Sequence, residues 1–361
     1  MKSIKLNLKS NSYPVIFSDN NEDLVSCCKR YLPNRKIFFI SDTNVAKVYL
    51  KEIEKIFRNE GFEIFSYVFK AGEEQKNIKT LTDLYNYALS IGIDRKFTVL
   101  ALGGGVVGDT AGFFASTYMR GIKIIQVPTS LLAMVDSSVG GKTGVNVEKG
   151  KNIAGTFYQP KFVFINIQFL KSLSPEHIKN GMAEIIKYAV SFDEKFFGRL
   201  DLILKKSIIT EQDFKEIIYK CCKFKADIVQ KDEKEVSGVR ELLNFGHTFA
   251  HALETITKYK YFLHGEAVAV GILFAAMLAE KIKFCDSSTK QKIEEILSNA
   301  GFDHKISGKL NRNMLLNLMK KDKKSVSRII RFVLPKKIGQ ICSGIEVDDK
   351  IILKTIGEIS K

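Results

Sequence analysis

Apolar and polar positions follow two different rhythms along the first half of the chain. "KIFFI" is an unbroken apolar run ending at "SDTN", which reads as a strand meeting a helix cap. "VYLKEIEKIFRNEGF" has helical period and a glycine stop, "EIFSYVF" reads as a strand, and "IKTLTDLYNYALSIGI" is helical again. "FTVLALGGG" is a buried strand running into glycines, and "KIIQVPTS" and "FVFINI" are further strands. This alternation predicts an α/β domain with a largely parallel sheet. From about Leu173 the rhythm changes. "PEHIKNGMAEIIKYAV", "EIIYKCCKFKADIVQ", "LNFGHTFAHALETI", "EAVAVGILFAAMLAEKI" and "TKQKIEEILSNA" all read as helices, and little strand signal returns before "RIIRFVLPKKIG". The pattern predicts an α/β domain over 1–174 and a mainly helical domain over 175–361, packed closely around a cleft.

Composition narrows the class. The apolar fraction, 45% of 361 residues, is ordinary for a globular protein, and no apolar stretch reaches the roughly 18–20 residues of a membrane span. The start, "MKSIKLNLKS", lacks the long apolar region of a signal peptide. The six cysteines form two adjacent pairs and two singles, with no CxxC, which suits a reducing cytoplasm. The net charge of +16 would suit a nucleic acid, but lysine is spread along the whole chain without a dense Arg-rich run or a nucleic-acid motif. A site for an anionic small molecule is the reading that charge leaves.

Two glycine segments carry candidate chemistry. In "LALGGGVVGDTAGF", Gly103, Gly105 and Gly108 satisfy G-x-G-x-x-G after a strand, where main-chain N–H groups can approach a pyrophosphate. The motif comes after an earlier strand–helix unit, so it is misplaced for a standard Rossmann domain. "VDSSVGGKTGVN" ends in GKT, but a P-loop needs glycine where this chain has Asp136, and a carboxylate there would repel a triphosphate. Lys142 is left as a candidate for holding a phosphate or hydroxyl, with Asp136 as an acceptor.

The histidines cluster. Of five in the chain, His247, His251 and His264 fall within 18 residues. At helical spacing Asn244, His247 and His251 would share one face. The stretch resembles HExxH but has Thr248 where that motif needs its general-base Glu, which disfavours a metalloprotease. Glu184 sits in the otherwise apolar "GMAEIIKYAV", where a carboxylate wants a cation, either a metal or Lys187 one turn on.

Taken together, "GGGVVGD", "YMRGIKIIQVPTSLLAMVDSSVGGKTGVN", "KNIAGTFYQP", "NGMAEIIKY", "VRELLNFGHTFAHALE" and "HGEAVAVG" occur in one order and spacing. Over nearly its full length the chain resembles the 3-dehydroquinate synthase family of sugar-phosphate cyclases. The resemblance implies an N-terminal NAD-binding α/β domain, a C-terminal helical metal domain, a homodimer and a cytoplasmic lyase of the shikimate pathway, which leads through chorismate to the aromatic amino acids. The implied substrate is 3-deoxy-D-arabino-heptulosonate 7-phosphate. It would be oxidised at C5, lose phosphate, be reduced again and close to 3-dehydroquinate, with NAD used catalytically.

Position by position, the resemblance implies Glu184, His247 and His264 as ligands of Zn2+ or Co2+, with His251 facing the substrate. It implies NAD contacts at Asp42, Asn44, Glu73, Lys76, Gly105, Val106, Val107, Gly108, Asp109, Thr129, Ser130, Lys142, Lys151, Phe169, Leu170, Lys171 and Ser172. The substrate would meet Lys142, Asn152, Lys187, Lys225, Arg240 and Asn244, with Asp136 on a hydroxyl and Arg120 reaching in from a partner subunit. A C-terminal base, Lys323, Lys324 or Arg331, would touch the phosphate. "KDEKEVSGVR", between Lys225 and Arg240, is one residue longer than the family pattern. Cyclases making a valiolone or an inosose are rivals without a substrate carboxylate, and the retained Lys225 and Arg240 argue against them. A polyol dehydrogenase shares the fold, but the long loops at "VDSSVGGKTGVN" and "KNIAGTFYQP" disfavour it.

Overall fold

The computed structural model describes residues 1–9, 11–148, 150–258, 261–303, 306, 310–321 and 329–360. They form two units. The first is Met1–Ser174 with Ile218–Lys234, and the second is Pro175–Ile217 with Glu235–Lys361. The chain therefore crosses between units three times, where a single cut after residue 174 would cross once.

The first unit is built on a seven-stranded sheet. Its strands are β1 (Lys2–Leu6), β2 (Tyr13–Ser18), β3 (Lys36–Asp42), β4 (Glu63–Phe69), β5 (Thr98–Gly103), β6 (Lys123–Pro128) and β9 (Val163–Asn166), in the order β1-β2-β9-β6-β5-β3-β4. Only β1 runs antiparallel, against β2. Every residue of β5 and β9 is buried, as expected for parallel strands covered on both faces. The helices are α1 (Glu22–Tyr31), α2 (Thr43–Val45), α3 (Lys51–Asn59), α4 (Ile78–Ser90) and α5 (Gly105–Thr117). A π-helical turn, Ala46–Leu50, joins α2 to α3. Asp42 caps α2 as the sequence predicts, accepting from the N–H groups of Asn44 and Val45. A core of Phe38, Leu84, Val99, Val107, Phe114 and Tyr118 lies among β3, β5, α4 and α5.

An antiparallel hairpin, β7 (Lys142–Val147) and β8 (Gly150–Phe157), fills the stretch read from sequence as glycine loops. Lys142 thus opens a strand rather than a helix, which agrees with rejecting a P-loop. After α5 the chain turns through Met119, Arg120 and Gly121, with φ of 49°, 66° and 115°. The Arg95 guanidinium holds this turn by donating to the Met119 carbonyl at 2.8 and 3.1 Å.

The second unit is helical apart from one hairpin. Its elements are α6 (Pro175–Phe192), α7 (Glu194–Leu204), the start of α8 (Glu211–Lys231), α9 (His247–Ile256), α10 (His264–Lys281), α11 (Ser287–Asn299), α12 (Arg312–Lys321), the hairpin β10 (Arg331–Lys337) and β11 (Gln340–Glu346), and α13 (Asp349–Ile359). Helix α10 is apolar nearly all round and buried from Ala267 to Ala276, so it forms the centre of this unit. Phe249 of α9 stacks on its Phe274 with ring centroids 4.0 Å apart. Thr210 and Asp213 cap α8 reciprocally: Thr210 N donates to Asp213 Oδ2 at 3.0 Å and Asp213 N to Thr210 Oγ1 at 3.2 Å.

Candidate metal centre and nucleotide-binding edge

In the second unit three helices supply one cluster. Glu184 lies mid-α6, inside the buried run Gly181–Ser191, while His247 and His264 are the first residues of α9 and α10. The helices meet closely because glycines stand at the contacts. A Cβ on Gly265 would lie 2.1 Å from the Asn180 carbonyl oxygen of α6, and one on Gly271 2.0 Å from the Gly246 carbonyl oxygen before α9. Gly246 itself has φ of +79°, a conformation that glycine adopts without strain. This left-handed residue starts α9 at His247. Asn244 therefore ends a separate 3-10 turn, Val239–Asn244, and does not share the helix face of His247 and His251.

One ligand atom from each of Glu184, His247 and His264 lies within 4.8 Å of the others. Glu184 Oε1 is 3.4 Å from His247 Nε2 and 3.5 Å from His264 Nε2. Its other oxygen forms an ion pair with Lys187. Glu184 is fully buried, and neither oxygen has hydrogen-bond geometry to a partner. The far nitrogens of both rings are engaged: His247 Nδ1 is 3.1 Å from the Phe245 carbonyl oxygen and His264 Nδ1 3.2 Å from Glu254 Oε1. With each Nδ1 so engaged, each Nε2 faces the carboxylate. Two such rings around one buried carboxylate oxygen suit a divalent ion of the zinc type.

Without an ion the two rings differ, and only His247 is held neutral. Burial alone would raise the Glu184 carboxyl pKa, but Lys187 and then His247 hold it well below the usual range. Burial pulls His247 down to about 4 against the opposing charge of Glu184. Burial also disfavours charge on His264, yet hydrogen bonds to Glu184 and Glu254 push it up to about 9. His251 stands one turn along α9, its ring edge-on to His247 at 5.5 Å between centroids. Arg240 is buried in the turn before Asn244, whose Nδ2 is buried without a hydrogen-bond partner.

In the first unit the residues expected to meet NAD, except Lys142 and Lys151 on the β7–β8 hairpin, follow the carboxyl ends of the sheet strands. Asp42 ends β3 and Asn44 follows; Glu73 and Lys76 follow β4; Gly105, Val106, Val107, Gly108 and Asp109 open α5 after β5. Thr129 and Ser130 follow β6, and Phe169, Leu170, Lys171 and Ser172 lie in the 3-10 turn after β9. Strands β3 and β5 are neighbours although β4 intervenes in sequence, so the order reverses there, where open α/β sheets bind their ligands. Helix α5 has Gly104 at its N-cap and no side-chain cap, which leaves first-turn N–H groups for an anion. Gly108 lets α5 lie against β6, since a Cβ there would sit 2.8 Å from Gln126 Oε1.

Charged groups at this edge pair internally. Lys76, buried, forms an ion pair with Asp109, whose carboxyl is pushed up by burial against the pull of Lys76. Asn146 of β7 donates to Glu73 Oε1 at 3.0 Å, and its own Oδ1 accepts from Asn152 N at 2.9 Å. Lys225 reaches both the carbonyl oxygen and Oδ1 of Asp136, at 2.6 and 2.7 Å. Lys142 is exposed and Lys151 half-buried on the hairpin, and Arg120 is exposed. Arg331 sits at the start of β10 with its Nε 3.4 Å from Glu346. Lys323 and Lys324 lie outside the described residues.

Sequence reasoning did not single out Glu254, Asn180 or the Phe245 carbonyl. Glu254 carried a signal of the same kind as Glu184, an acid among buried Ala252 and Leu253. Asn180, whose Oδ1 accepts from Gly265 N, and a main-chain carbonyl carry none.

A largely parallel open sheet, joined in one chain to a helical unit with a three-residue Glu–His–His cluster, is the architecture of the sugar-phosphate cyclase fold. The 2-deoxy-scyllo-inosose synthase structure with carbaglucose-6-phosphate, NAD+ and Co2+ superposes with a TM-score of 0.89 at 24% identity, covering 99% of this chain and 100% of that one. The 2-epi-5-epi-valiolone synthase ValA from Streptomyces hygroscopicus, with NAD+ and Zn2+, gives 0.88 at 23%, covering 98% of each. An iron-containing alcohol dehydrogenase gives 0.68 at 13%, covering 96% and 97%.

Sequence comparison is more specific. Residues 66–180 match the 3-dehydroquinate synthase N-terminal family and residues 181–325 the 3-dehydroquinate synthase C-terminal family. The 3-dehydroquinate synthase of Endomicrobium trichonymphae is 52% identical over 99% of this chain and 98% of its own length; that of Acetivibrio thermocellus is 40% identical over the same shares. The chain belongs to the 3-dehydroquinate synthase family.

Proposed function

We propose that this chain converts 3-deoxy-D-arabino-heptulosonate 7-phosphate to 3-dehydroquinate and inorganic phosphate, a step of the shikimate pathway, with NAD and one divalent ion, zinc or cobalt, as cofactors. The observation that carries the reading is the Glu184–His247–His264 cluster, with Glu184 buried and both imidazole Nε2 atoms turned toward it. The relatives select the reaction: identity is 52% to a 3-dehydroquinate synthase and about half that or less to other cyclases and to dehydrogenases.

When bound, the ion would polarise substrate oxygen and NAD would serve as a reversible hydride acceptor. Glu184, His247 and His264 would hold the ion. His251, next along α9, would move the proton of the substrate hydroxyl, and Lys187 would keep Glu184 charged. In the second unit Arg240 would grip the carboxylate through paired contacts, with Asn244 a further substrate residue. In the first unit Asp136 would accept from a hydroxyl, and Lys142, Asn152 and Lys225 are the substrate residues. The first unit would hold NAD through the α5 N-terminus, Asp42, Asn44, the Glu73–Lys76 loop, Thr129, Ser130, Lys151 and residues 169–172. No helix of the described residues is long and apolar enough to cross a membrane. We assign the chain to the cytoplasm as a homodimer in which Arg120 completes the neighbouring site.

Incubation with the heptulosonate phosphate tests the reaction. One phosphate should appear per substrate consumed, with catalytic NAD, no steady growth of the NADH band, and deuterium at C5 kept in the product. NADH accumulating in step with substrate loss, with phosphate still on the product, would replace this reading by the dehydrogenase. His251→Ala should retain the ion and lose turnover.

A further inference from the structure

The two imidazoles of the cluster are held from behind in different ways. His247 has a local anchor, the carbonyl oxygen two residues earlier, whereas His264 relies on Glu254 from a different helix. The His264 side chain is 27% exposed against 12% for His247, so packing confines it less. Glu254 itself is only 2% exposed, on α9 among Ala252 and Leu253. A carboxylate so far from water is unfavourable unless a specific partner uses it. Lys187 pairs with Glu184 within the cluster, and Glu254 sets a second carboxylate behind His264.

We propose that Glu254 is a positioning residue for the metal centre. It accepts the hydrogen bond of His264 Nδ1, holds the ring with Nε2 turned toward Glu184, and makes that imidazole a stronger donor to a divalent ion. The inference rests on reading Glu184, His247 and His264 as the ligand set.

The test uses Co2+ as probe, with the full chain, and follows its dissociation constant and visible absorption for wild type, E254Q, E254D and the same changes in an H264A background. Thermal unfolding of each metal-free chain runs alongside. E254Q keeps shape and an acceptor but loses the charge, and should weaken Co2+ binding by about 10–100-fold with a shifted visible band. E254D, which keeps the carboxylate, should recover part of that affinity even if E254Q folds poorly. In the H264A background E254Q should cause no further loss, because the ring it acts through is gone. Wild-type affinity in E254Q, or an equal loss with and without His264, overturns the proposal while leaving the centre standing. A wild-type chain that binds no Co2+ overturns both.

Discussion

The candidate metal cluster and the candidate nucleotide edge would solve the same problem, holding a charged group, by opposite means. In the second unit three side chains converge from three helices, and each imidazole is fixed from behind. In the first unit the candidates are spread over the ends of five strands, and the anion site is main chain: the uncapped start of α5 beside glycines. A small cation needs few ligands at one point, so its site depends on individual side chains. A dinucleotide is long and needs a row of donors, so its site depends on backbone path. Single substitutions should therefore be severe in the first region and graded in the second.

The largest effect should come from Glu184→Ala. It removes a proposed ligand and breaks the buried pair with Lys187, and breaking such a pair costs about 3–5 kcal/mol. Co2+ binding should disappear, activity should fall to background, and urea unfolding of the metal-free chain should shift by that amount. Retained Co2+ binding would break the comparison at its stronger end. Next is Gly271→Ala, whose added carbon meets the Gly246 carbonyl oxygen at 2.0 Å and pushes α9 from α10. A loss of about 1–3 kcal/mol is expected, with weaker Co2+ binding and unchanged NAD affinity. Lys76→Met should do the reverse: NAD titration should show binding weakened by roughly tenfold, about 1.4 kcal/mol, with Co2+ affinity intact.

The smallest effect, outside both regions, should come from Asp213→Asn. Hydrogen bonds from Lys206 and Thr210 hold that carboxyl down at about 2, against an ordinary value of 3.8. Between those values the unfolded chain binds the proton and the folded chain does not. The contribution is therefore complete above about pH 4 and is lost as pH falls through about 2. The variant should lose about 1 kcal/mol of stability at pH 7 and less at pH 3, with both binding constants unchanged.

The same contrast explains what could be read in the sequence. Long apolar runs gave the parallel strands and the helices, because burial on both faces or on one stripe leaves a period in the text. The short pairings β1–β2 and β7–β8 left weaker traces; β8 is mostly exposed, and its glycines read as loop. Glu184 and the histidines were legible as polar residues in apolar surroundings. Asn244 was misplaced because helical spacing was extended through Gly246, a residue that marks a break. The Lys225–Asp136 pair joins positions 89 apart, and local periodicity carries no information about such a contact. The carbonyl behind His247 belongs to no side chain at all.

With Arg120 in the role we propose, the turn through Met119 and Arg120 would set heat resistance against turnover. Two consecutive non-glycine residues sit there in a left-handed conformation, each at a cost of roughly 1–2 kcal/mol that glycine would avoid. A library of this chain selected only for survival on heating should therefore enrich Arg120→Gly. The winners would be sturdier proteins lacking the guanidinium we assign to the neighbouring subunit's chemistry. A second round selected for growth without aromatic amino acids should restore arginine at that position, at the expense of melting temperature.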